Sequence, residues 1–100
     1  MGVESTAWPE NLAAYRRTPE FDAASCPKAL QRAHSTKPGV WAKLHVLAGD
    51  LLFRDIETGR ESLLRSGIHP LIFPQRLHEV EPREGVRFFV EFHAHDPEGK

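Results

Sequence analysis

Two histidines occupy similar places in two stretches that a small fold could lay side by side. His34 lies just upstream of the turn signal Pro38-Gly39, and His78 follows Pro74 by four residues. If the two segments meet, both imidazoles sit at one mouth. Imidazole suits zinc, copper, iron and nickel. Two nitrogens fall short of the three or four ligands such ions usually take. A carboxylate is therefore expected to complete the set. Glu91 is placed inside a strand on a face that is not purely apolar, and Glu79 and Glu81 are close to His78 in sequence. The expected metal set is His34, His78 and Glu91, with zinc, iron or nickel as the divalent ion. Lys37 and Lys43 flank Trp41. These three are expected to contact a small-molecule or oxyanion ligand, the lysines through charge and the indole at the rim. The same lysines could equally serve to keep a strand edge soluble. His45, on the Trp41-Lys43 face, could join the site but reads first as a surface residue, and His69, His93 and His95 read as solvated loop or tail residues.

Other chemistries lack their residues. There is no phosphate-cradling glycine loop, no nucleophile elbow and no paired-cysteine or HExxH metal motif. Cys26 is the single cysteine, so it reads as a buried or loop thiol without a role. A nucleophile would need a positioned base beside it. The net charge of −1 and scattered basic residues argue against nucleic acid as a partner. No apolar run approaches the ~20 residues that span a bilayer. Met1 to Glu10 has neither the basic start nor the apolar centre of a secretory signal. The expected location is the cytoplasm.

The elements that must carry these residues read as short strands. Val40 to Leu47 alternates, with Val40, Ala42, Leu44 and Val46 on one face and Trp41, Lys43, His45 and Leu47 on the other. Leu51 to Ile56 and Glu61 to Arg65 form a hairpin across Glu57-Thr58-Gly59-Arg60. Leu71 to Phe73 and Glu79 to Glu81 are short extended pieces. Val86 to His93 is the clearest strand. It places Val86, Phe88, Val90 and Phe92 on one face, and Arg87, Phe89, Glu91 and His93 on the other. Leu12 to Arg17 is expected to form one helical turn, and Lys28 to His34 either a short strand or a helical turn. Asp22 to Pro27 is a turn. Met1 to Asn11 is an arm, ordered only if Trp8 finds a pocket. Residues 12–93 form one domain, and the polar tail from Ala94 to Lys100 is expected to fray. Turns every eight to twelve residues in a chain of 100 residues imply an all-β domain.

These residues resemble a known family. His34-x-Thr36-Lys37-x-Gly39-Val40-Trp41-x-Lys43-Leu44, then Gly49, then Phe73-Pro74 through His78 to Val80-Glu81-Pro82, look like the cupin-like domain at the N-terminus of some tellurite-resistance methyltransferases. Val86 to Phe92 is also similar, so the likeness runs from about Leu12 to Phe92. The same domain occurs as short free-standing proteins. The resemblance implies a small cupin-like jelly-roll barrel, a double-stranded β-helix, with a metal or small ligand in its mouth. It does not imply methyl transfer, because no S-adenosylmethionine motif is present and the chain ends where that domain would begin. The general cupin pattern has two histidines and a glutamate in its first motif, of which His34 alone matches here.

Two functions follow from different classes. One is a metal-binding cupin that handles a small toxic or oxidising anion. The other is a sensing or dimerisation module without metal or turnover. A homodimer is expected, because small barrels leave strand edges to be covered.

Overall fold

The computed structural model describes residues 8–95. The first seven residues of the expected arm, and residues 96–100 of the expected tail, lie outside the described residues. Among the described residues seven strands follow one another: β1 Leu12–Arg17, β2 Trp41–Ala48, β3 Leu51–Asp55, β4 Glu61–Leu64, β5 Gly67–Ile72, β6 His78–Pro82 and β7 Arg87–His95. A 3-10 turn spans Lys28–Gln31. No α-helix occurs among the described residues, so none is long and apolar enough to cross a membrane.

The strands form two antiparallel sheets, one ordered β1-β7-β2-β5 and the other β4-β3-β6. Their inner faces meet in one core. Leu44 and Val46 on β2, and Phe88 and Val90 on β7, pack with Leu51, Phe53, Leu64 and Val80 from the opposite sheet. The period-two alternation read in β2 is what buries Ala42, Leu44 and Val46 while their neighbours stay more exposed. The domain is all-β, as expected, but the closed barrel is not formed. Each sheet keeps its own edges, and a single bridge between His34 and His78 extends the smaller sheet beyond β6. Periodicity reports which face of a strand is buried; it carries no information on whether the outermost strands pair.

Three expectations change. Leu12 to Arg17 is an edge strand and not a helical turn. It is held by its ladder to β7, Leu12 opposite His95 and Arg17 opposite Glu91, with an irregularity near Tyr15. Only Leu12 on it is even half-buried, so the strand leaves no apolar rhythm to read. β5 begins at Gly67 and so carries His69 and Pro70 within a strand. β7 continues through Ala94 to His95, which removes two residues from the expected tail. Lys28–Gln31 settles the open alternative in favour of a turn. Asp22 to Cys26 is a turn as expected, closed by the Asp22 carboxylate accepting from the backbone N–H groups of Ala24 and Ser25.

Trp8 lies against its own chain. Its Nε1 donates to the Pro70 carbonyl at 3.1 Å, its ring meets His93 edge-on at 5.1 Å, and Lys43 Nζ stands 5.3 Å over the indole. Cys26 is buried and free. Burial pushes its thiol pKa up, the opposite of what a nucleophile needs.

Candidate functional site

A cleft of about 330 Å³ lies between the two sheets, with β1 and the segment from His34 to Lys37 among its walls. Leu44, Phe88, Val90 and Phe92 line it from the larger sheet, and His78 and Val80 from β6. His34 and Lys37 lie on the linking segment at its wall. That segment is fixed by backbone bonds in both directions, His34 N–H to the His78 carbonyl and His78 N–H to the His34 carbonyl, each 2.9 Å. Thr36 fastens the next turn by donating its hydroxyl to the Val40 carbonyl at 2.7 Å. The reciprocal bonds bring the two imidazoles together, with centroids 4.3 Å apart and planes 69° apart.

Both rings are anchored the same way. Nδ1 of His34 donates to the Arg32 carbonyl at 2.8 Å, and Nδ1 of His78 to the Arg76 carbonyl at 2.9 Å. A carbonyl can only accept, so each neutral ring carries its proton on Nδ1 and leaves Nε2 bare. No buried side-chain nitrogen or oxygen lacks a partner among the described residues. Nε2 of His78, which bonds to nothing among the described residues, therefore reaches accessible space, although the residue is only 2% exposed.

Burial, reinforced by the nearby His34, pushes the His78 pKa down to about 4, against the opposing pull of the Arg76 carbonyl and Asp55. The unfolded chain protonates this ring near 6.5 and the folded chain only near 4. The unfolded state thus binds more protons between these values. The stability tied to His78 is complete above about pH 6.5 and is lost as pH falls towards 4, at ~1.4 kcal/mol per pH unit at most. Denaturant titrations at about pH 7 and about pH 5 should show this loss in the native protein and a smaller one in His78→Gln. Equal losses in both would remove His78 as the cause.

Glu91 is not with the histidines. It projects from the opposite face of β7, where its Oε1 accepts from Nε2 of His45 at 3.1 Å and from Nε2 of His93 at 2.9 Å. Burial raises the Glu91 pKa, but the bonds from His93 and His45 outweigh it and hold the carboxyl below its ordinary value. His93, expected to be solvated, is buried at 7% exposure beneath Trp8. His45 stacks on Phe89 with centroids 4.4 Å apart. Trp41 and Lys43 share this outer face. Trp41 meets His95 edge-on and Lys43 lies over Trp8, so neither lines the cleft. Of the expected ligand-binding residues, only Lys37 does.

Reading the sequence missed Arg16, which lines the cleft from β1. Nothing in a segment without apolar alternation could have flagged it. The cluster of His45, Glu91 and His93 was within reach, because the alternation in β7 already put Glu91 and His93 on one face.

A family model described as the TehB-like domain matches residues 16–90. This chain belongs to the TehB-like domain family. Its curated relatives include the probable S-adenosyl-L-methionine-dependent methyltransferase TehB of two Haemophilus influenzae strains, 36% and 35% identical over 75 residues. Each match covers 70% of this chain and 26% of the relative, so the chain spans about a quarter of the length of the curated relatives it matches. The crystal structure of Haemophilus influenzae TehB superposes with a TM-score of 0.78 at 30% identity, covering 86% of this chain and 32% of that one. A protein from E. coli K12 superposes with a TM-score of 0.81 at 21% identity, covering 90% of this chain and 97% of that one. At that identity the second likeness speaks for the fold alone. The TehB-like domain therefore has a fold seen both as part of a longer protein and as nearly the whole of a solved chain.

Proposed function

We propose that this TehB-like domain is a binding module that takes a divalent metal ion and a small anion in the cleft between its sheets. The supporting observation is the shared anchoring of His34 and His78. Both Nδ1–H groups are committed to backbone carbonyls, which is how metal-bound imidazoles are commonly held in tautomer and orientation. His34 and His78 would hold the ion through Nε2. When bound, the ion would supply a positive centre for the anion. Among the described residues, no group of three or more His, Cys, Asp or Glu is arranged to hold a metal. Two protein ligands leave the remaining positions to the anion and water, and Lys37 at the rim adds charge of the right sign. The methyl transfer in the names of the Haemophilus influenzae relatives belongs to proteins nearly three times as long, and it is not assigned to this domain.

Zinc titration by calorimetry tests this. The native protein should bind, and His34→Ala and His78→Ala should each lose at least about tenfold in affinity, because one imidazole cannot hold the ion alone. Glu91→Gln and His93→Ala should bind as the native protein does. Circular dichroism should show each variant folded, and the half-buried His34 is the position on which the test rests. If affinity survives in both cleft variants and is lost in Glu91→Gln or His93→Ala, the ion sits on the outer cluster and this reading falls.

A further inference from the structure

Resting on the cleft as a ligand site, we infer that its anion is an amphiphilic carboxylate, a single anionic head on an apolar body of roughly ten heavy atoms, and not a bare inorganic oxyanion. Volume is the first reason. About 330 Å³ is room for roughly ten waters at ~30 Å³ each. An oxyanion of a few atoms would leave most of that space as water against apolar walls. Those walls are substantial. Leu30, Val40 and Phe92 are half-buried, and the buried Ile72, Val80 and Val90 line the cleft with them. Covering such surface favours an apolar body in proportion to the area removed from water.

Charge is the second reason. Among the described residues no aspartate or glutamate lines the cleft, whereas Arg16 and Lys37 both do. Both are exposed, and no carboxylate pairs with either among the described residues. The guanidinium of Arg16 lies 5.9 Å over the Phe92 ring, which puts a cation directly at the edge of the apolar wall. Its planar fork matches a carboxylate. The Thr36 hydroxyl is already committed to the Val40 carbonyl, so it does not add a polar donor to the interior. Positive charge at the rim and apolar surface within describe a ligand with those two parts in that order.

The test uses octanoate, octanol and tellurite, each titrated into the ¹⁵N-labelled full chain while amide shifts are followed. Octanoate should shift the Val40 and Phe92 amides saturably. Octanol, which lacks the anionic head, should bind more weakly by about fivefold or more. Lys37→Gln and Arg16→Gln should bring octanoate towards octanol and leave octanol unchanged. The inference is overturned if octanol binds as tightly as octanoate, or if tellurite saturates the same amides at lower concentration. Zinc added to separate samples keeps the two readings apart. Octanoate binding without zinc binding upholds the ligand class and removes the metal. Zinc binding at His34 and His78 with no response to octanoate upholds the metal and overturns the ligand class.

Discussion

Phe88→Ala should remove about 3–5 kcal/mol of folding stability, the usual cost of emptying a fully buried phenylalanine site. Phe88 is 0% exposed. Its ring meets Phe21 edge-on with centroids 5.7 Å apart. The backbones of the same two residues exchange hydrogen bonds of 2.7 and 2.9 Å, so the segment around Phe21 cannot easily move in to fill the space. On the other side β7 is fixed by β2, with Val46 opposite Phe88. A domain of this size has a total stability of ~5–15 kcal/mol, so the variant should be close to unfolding. Urea titration followed by far-UV circular dichroism measures the change. A loss below about 1 kcal/mol would mean that the site collapses freely or is not buried.

Gly49→Ala should cost nearly as much, through the backbone. Gly49 closes the turn between β2 and β3 at φ +71°, a conformation that costs other residues ~1–2 kcal/mol. A methyl group there would also lie 2.7 Å from the Gly85 carbonyl oxygen and 2.7 Å from Val86 Cα. Neither neighbour is a side chain that could swing away, and Val86 is itself fully buried. The expected loss is about 3 kcal/mol or more. Gly59 is the control, because its φ is +75° and a methyl group there would meet nothing within 4 Å. Gly59→Ala should cost only the conformational part, ~1–2 kcal/mol. Thermal unfolding of both variants separates the two contributions, and equal losses would show that the turn yields around Gly49.

The inner faces of β2 and β7 are legible because burial on one side of a strand writes a period of two into the chain. Ala42, Leu44, Val46, Phe88 and Val90 are buried as that period requires. The outer face of β7 is harder to read. Phe89 and His93 are also buried, covered by Arg17, His45 and Trp8, and no local pattern announces cover that arrives from distant segments. β1 escapes a reading from sequence for a related reason. An edge strand held by its ladder and exposed along its length carries no periodic signal.

The meeting of His34 and His78 follows from two turn signals and a resemblance. The placing of Glu91 with them does not follow even from the sequence, since alternation sets Glu91 opposite Val90, and Val90 lines the cleft. Trp41 and Lys43 fail on the same count, because they alternate with Leu44. Face assignment within a strand is the better guide, and expectations built from ligand counts and neighbouring charges in the sequence run against it.

The most direct test is a long-range ¹H–¹⁵N spectrum of the histidine side chains, recorded with and without zinc at neutral pH. His34 and His78 should both be Nδ1–H tautomers, and zinc should shift their Nε2 resonances while leaving those of His45 and His93 in place. A proton found on Nε2 of His34 or His78, or a zinc response confined to His45 and His93, would contradict the account.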